Sequence, residues 1–114
     1  MIQDGLGTIV VYHLTPEENV WSINVSGINP GKALGKMRAS WFVSKNHIEW
    51  AAIHASVRHH VTPDGLSVCA CLIETSLLYK FFKPGFYYCY NTVQPESITP
   101  LMFVLHNMGT SDYQ

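Results

Sequence analysis

Residues 11–42 read VYHLTPEENVWSINVSGINPGKALGKMRASWF, and the order in which the local signals change along them sets the fold class. Just upstream, residues 8–12 are β-branched and aromatic after Gly5 and Gly7, which predicts a buried strand that delivers Tyr12, His13 and Leu14 at its end. Pro16 then opens a helical segment over residues 17–25, with acids in its first turn, Thr15 as its N-cap and Gly27 as its stop. Residues 29–38 are rich in Gly, Pro and basic side chains and read as a loop. A short aromatic strand follows at residues 40–43.

Further along, residues 46–59 predict a second helix, in which Ala51, Ala52 and Ala55 permit close packing. Pro63, Asp64 and Gly65 make a turn, residues 66–75 a strand, residues 81–85 another turn and residues 86–90 another strand. Residues 95–98 and the apolar run 101–105 close the series, the latter as a last strand or a docked turn. Helices come early and strands crowd the second half, so an α+β fold is expected rather than a doubly wound parallel sheet. With no internal repeat and no linker, residues 1–114 read as one domain.

Apolar residues make up 47% of the chain and charged residues only 13%, about half of the roughly 25% charge of an ordinary soluble domain. Seven Lys plus Arg against eight Asp plus Glu give a net charge of -1, so nucleic acid is met only through a local patch and an acidic membrane is disfavoured. The apolar runs at residues 9–12 and 68–73 fall far short of the ~20 residues of a spanning helix, and no basic segment leads into an apolar run at the amino terminus. A soluble, cytoplasmic protein is expected. The apolar excess points to a ligand cleft and to an apolar surface for a partner or a second copy.

Cys69, Cys71 and Cys89 show no CxxC spacing, which argues against a disulfide framework and against a thiolate zinc site. They read as small buried hydrophobes, Cys69 and Cys71 on one face of a strand. His54, His59 and His60 have no paired carboxylate and read as a polar helix face, so no metal is expected.

The remaining signals form a spaced set. His13 and Thr15 make a His-x-Thr step at a strand end, and Asn19, Ile23 and Gly27 follow His13 by six, ten and fourteen residues. Trp41, Phe42 and Val43 precede a helix that carries Trp50, Ala51 and Ala52, and residues 85–98, GFYYCYNTVQPESI, end in Val93, Pro95, Glu96 and Ile98. In these features the chain resembles the ADP-ribosyltransferase superfamily, which includes mono-ADP-ribosylating toxins, poly-ADP-ribose polymerases and RNA 2'-phosphotransferases. The resemblance implies an α+β fold in which a split β-sheet cleft with two short helices takes NAD+ as substrate. There is no GxGxxG after a strand, so a Rossmann site is not expected.

The same resemblance implies roles. His13 would hydrogen-bond ribose hydroxyls, the Leu14 main chain would read the carboxamide, and Thr15 and Asn19 would complete that edge. Trp41, supported by Trp50, would stack on the cationic nicotinamide ring, and Arg38 in the basic loop would meet the pyrophosphate. Where such families place a catalytic Glu, Phe86, Tyr87 and Tyr88 hold no acid, and Tyr87 takes the aligned catalytic position beside His13. The implied activity is transfer of ADP-ribose to a macromolecular acceptor, a protein first of all, or hydrolysis of NAD+, as in a phage or bacterial effector. The missing Glu favours an alternative, a catalytically inactive module acting through protein contacts. RNA 2'-phosphate transfer, which would draw on Arg38 and Arg58, is a third reading. Taken singly, His13 also reads as a core or surface histidine, Trp41, Phe42 and Trp50 as core aromatics, and residues 32–38 as a solvated loop. Strand alternation lets only one of Trp41 and Phe42 line a cleft.

Overall fold

The structure, a computed structural model, describes residues 7–32, 38–81 and 83–101. In chain order its elements are β1 (Thr8–Pro16), α1 (Val20–Ser26), β2 (Ser40–Val43), α2 (Ile48–His59), β3 (Leu66–Glu74), β4 (Tyr79–Lys80), β5 (Phe86–Cys89) and β6 (Ile98–Leu101). All six strands form one antiparallel sheet in the order β4-β5-β2-β1-β3-β6, an α+β architecture.

β1 runs well past the expected residues 8–12. Its partner β3 is an equally long apolar strand, and the two pair without interruption from Thr8 opposite Glu74 to Pro16 opposite Leu66. That ladder draws His13, Leu14 and Thr15 into the strand, and Pro16, which has no N–H to donate, ends it. The first helix is correspondingly shorter than the expected 17–25. Residues Glu17–Asn19 form a 3-10 turn, the α-helix starts at Val20, and Thr15 caps nothing because it is still in the strand. Gly27 does end the helix, with φ +82° and its N–H on the Ile23 carbonyl at 2.8 Å. The second helix likewise opens with a 3-10 turn, Lys45–His47, and stops where His60 adopts a left-handed conformation.

The short strand β4 was not anticipated. It pairs with β5 through Tyr79 opposite Tyr88 and Lys80 opposite Tyr87, so the turn expected at residues 81–85, of which residue 82 lies outside the described residues, falls between two paired strands. The final strand begins at Ile98 and its last residue is Leu101. Residues 102–105 of the anticipated apolar element lie outside the described residues, as do residues 33–37 of the basic loop. Among the described residues no helix is long and apolar enough to cross a membrane.

Strand alternation gives the sheet two apolar faces. On one, Val11, Phe42, Cys69, Cys71 and Cys89 pack with Ile23 of α1 and with Ile28 and Val93. On the other, Leu14, Val43, Val68 and Phe86 pack with Ile48 and Ala52 of α2. Phe42 is 1% exposed, a burial that stabilises the fold by roughly 1.5–3 kcal/mol. Burial pushes the Cys69 thiol up to about 11 and the Cys71 thiol higher still, so these are inert core groups rather than nucleophiles.

The residues after α1 are tied to the segment between β5 and β6 by a two-way bridge, Ile28 N–H to Val93 O at 2.9 Å and Val93 N–H to Ile28 O at 3.0 Å. Gly27 sits against this bridge, and a Cβ there would run into the Val93 carbonyl. Gly27→Ala is therefore expected to cost about 2 kcal/mol or more, from the clash and the positive φ together. Gly7→Ala, where a Cβ meets nothing within 4 Å, is expected to change urea-unfolding stability by less than about 0.5 kcal/mol.

Candidate functional site

The sheet divides between its two central strands. β2 pairs with β5 along its whole length, Ser40 to Val43 against Cys89 to Phe86, but aligns with β1 only at Tyr12 opposite Val43. Beyond that point β1 follows β3 and β2 follows β5, and a cavity of about 580 Å3 opens at the division. That volume lies in the range of small-molecule sites, roughly 300–1,000 Å3. It is lined by His13, Leu14 and Thr15 at the end of β1 and by both Trp41 and Phe42 of β2, where strand alternation was expected to admit only one of the two: the cavity lies at the division of the sheet and reaches residues of both faces.

His13 spans the gap. Its Nδ1 donates to the Trp41 carbonyl at 2.9 Å. A carbonyl only accepts, so the bond fixes the proton on Nδ1 and leaves Nε2 of the neutral ring as an acceptor. The ring also lies 5.5 Å from that of Phe42. Burial holds the His13 pKa below its usual 6.5 against the opposing effect of the Trp41 bond, and His59 lowers it further. The imidazole is thus neutral at physiological pH, with Nε2 available to a donor such as a hydroxyl.

At the start of the helical segment Asn19 Nδ2 donates to Thr15 Oγ1 at 3.2 Å. This bond is the physical content of the His13, Thr15, Asn19 spacing, because the 3-10 turn after Pro16 brings the amide back over the strand end. All three residues line the cavity. Trp41 lines it as well, held edge-on by Phe81 with ring centroids 5.0 Å apart and tilted against Tyr88 at 5.3 Å. Trp50 enters from α2 and is fixed by Phe86 at 4.8 Å and His54 at 3.7 Å. The cavity therefore joins an acceptor on a neutral histidine to a largely aromatic flank, an arrangement suited to a ligand with a hydroxylated part and a flat ring.

No protein-family model, curated protein or solved structure matches the chain.

Six of the site residues expected from sequence, His13, Leu14, Thr15, Asn19, Trp41 and Trp50, come together around the cavity. Two do not. Tyr87 pairs with Phe42 on the far side of β2, packs against the α1-side core and is not among the lining residues. The alternation that turns Tyr87 away turns its neighbour Phe86 toward α2 and the cavity. Arg38 also lies off the cavity, its guanidinium donating to the Gly31 carbonyl at 3.2 Å. His54 and His59 of α2, which the sequence reads as part of a polar helix face, also line it, as does Arg58, which was expected only under the RNA 2'-phosphate reading. Their signal was present in the sequence as the four-residue spacing Trp50, His54, Arg58, which puts them on the helix face that carries Trp50. Among the described residues no cluster of metal-ligating side chains occurs.

His59, like His13, is held below 6.5, first by burial and then by Arg58 and His60. For both residues protonation is easier in the unfolded chain, so their contribution to stability is full above about 6.5 and is lost as the pH falls through the folded-state values. Urea midpoints are expected to hold steady from pH 8 to 7 and to drop progressively below 6.5, with a shallower drop in His13→Asn. A midpoint that rises on acidification would be inconsistent with two neutral imidazoles.

Proposed function

We propose that the cavity is an NAD+ site and that the protein is ADP-ribosyltransferase-like, transferring ADP-ribose to a macromolecular acceptor or hydrolysing NAD+. The observation that carries this reading is the neutral His13, bound through Nδ1 to Trp41 and open at Nε2 where the sheet divides. A ribose hydroxyl is the matching donor. The indole of Trp41 offers an electron-rich face to a cationic nicotinamide ring, an attraction of roughly 0.5–2 kcal/mol that grows with desolvation. Free, buried Cys69, Cys71 and Cys89 accord with a reducing, cytoplasmic setting.

Breaking the nicotinamide–ribose bond develops oxocarbenium character, which carboxylates stabilise in glycoside chemistry generally. Among the described residues no Asp or Glu lines the cavity. That observation favours a second reading, a module that binds NAD+ without turnover and acts through protein contacts. RNA 2'-phosphate transfer has less support, because Arg38 lies off the cavity and leaves Arg58 as the arginine that lines it.

The variant that tests this is His13→Asn, whose side-chain amide retains a donor near the Nδ1 position and removes the Nε2 acceptor. Tryptophan fluorescence should report NAD+ binding by the wild type and a loss of affinity of tenfold or more in the variant, at unchanged folding. Release of nicotinamide from labelled NAD+, or transfer of label in a lysate, would make the protein an enzyme. Binding without either would leave the module. Failure of the wild type to bind NAD+ would overturn both.

A further inference from the structure

The α2 wall of the cavity is graded in chemistry along its length. Trp50, His54 and Arg58 recur at four-residue spacing, with Ala51, Ala55 and His59 in the row beside them, and all six line the cavity. At the start of the helix Trp50 meets Phe86 edge-on, and the Lys83 ammonium, which is not among the residues lining the cavity, lies over both rings at 5.7 and 4.9 Å from their centroids. Two turns later stand Arg58 and His59, about 12 Å away along the axis at 1.5 Å per residue. The small Ala51 and Ala55 between them leave the row open to a ligand.

The far end of this wall is cationic, and among the described residues no Asp or Glu lines the cavity to balance it. The imbalance registers on the neighbouring groups: beyond the effect of burial, Arg58 and His60 depress the His59 pKa and His59 depresses that of His13. The carbonyl end of α2 favours basic side chains in the last turn, where Arg58 and His59 lie. That end alone would repel an anion, but an anion approaching from the cavity meets the guanidinium, whose paired N–H groups match the oxygens of a phosphate.

We infer that Arg58 is the phosphate-recognising residue of the cavity, so that a nucleotide lies along α2 with its flat ring at the Trp50 end and its phosphates at the Arg58 end. The inference rests on the NAD+ reading for the ring and the phosphates to belong to one ligand. It moves anion recognition from the basic loop around Arg38 to the last turn of a helix.

Titration of the wild type, Arg58→Gln, Arg58→Lys and Lys45→Gln with inorganic pyrophosphate, ADP-ribose, NAD+ and uncharged nicotinamide tests it. Arg58→Gln should weaken pyrophosphate, ADP-ribose and NAD+ by tenfold or more and leave nicotinamide unaffected, with Arg58→Lys intermediate. Lys45→Gln, at the opposite end of α2, should match the wild type for every probe. Equal loss for nicotinamide would mean general damage to the cavity and would overturn the assignment, as would undiminished pyrophosphate and ADP-ribose binding in Arg58→Gln. If the wild type holds pyrophosphate and ADP-ribose through Arg58 but rejects NAD+, the phosphate site stands and the NAD+ reading falls. If NAD+ binds equally well to the wild type and Arg58→Gln, the NAD+ reading stands and the phosphate site falls.

Discussion

The hydrogen bond from His13 Nδ1 to the Trp41 carbonyl joins two half-sheets that the backbone itself links at a single aligned pair, Tyr12 with Val43. β1 pairs with β3 over nine residues and β2 with β5 over four, while the facing edges of β1 and β2 meet at that one aligned pair and leave the gap beyond it. A carbonyl sealed from water without a donor costs about 1–3 kcal/mol, and the Trp41 carbonyl is part-buried at this gap. The imidazole supplies that donor across the opening. The constraint sets three properties of the site together, because it keeps the opening bridged, fixes the tautomer and turns Nε2 into an acceptor. Burial then keeps the ring neutral. A cationic His13 would have no acceptor at either nitrogen.

Around this bond the two helices do different work. α1 is short and covers one face through Val20 and Ile23, and its approach through the 3-10 turn brings Asn19 over Thr15. α2 covers the other face through Ile48 and Ala52 while its neighbouring rows supply the aromatic and basic lining. The β4–β5 hairpin adds Phe81 and Phe86 to the aromatic flank. Ring contacts among Trp41, Tyr88, Tyr79 and Tyr90 continue beyond the cavity, which accounts for part of the apolar and aromatic excess in so lightly charged a chain. Under the NAD+ reading, this flank takes the ring and His13 takes the ribose. The scarcity of acid at the cavity bears on turnover rather than on binding.

Much of the architecture was legible because its signals are local. Gly27 marked a helix end that its positive φ requires, and the strand character of residues 40–43 and 66–75 came from their apolar, β-branched content. Element boundaries were harder. β1 extends through Pro16 because β3 is long enough to pair with it, a non-local cause invisible in residues 8–16 themselves, and Thr15 looked like a cap for the same reason. β4 is two residues long and exists through its pairing with β5, so no periodicity could announce it. For the site, the His13, Thr15 and Asn19 spacing carried real geometry, as did Trp41 and Trp50. Tyr87 did not follow, because one step along β5 reverses the face. Arg58 entered the sequence reading only beside Arg38 in the RNA 2'-phosphate alternative, and its four-residue spacing from His54 and Trp50 is what places it on the cavity wall.

The state of the His13 ring is open to direct observation. A long-range proton–nitrogen correlation spectrum of histidine-labelled protein at pH 7.5, recorded without and with NAD+, reads the protonation of both ring nitrogens. The expected spectrum has a protonated Nδ1 and a bare Nε2 in the free protein, with the Nε2 resonance moving upfield as it accepts a hydroxyl from added NAD+. A ring protonated at Nε2, or an Nε2 resonance indifferent to saturating NAD+, would overturn the assignment of this bond as the basis of the site.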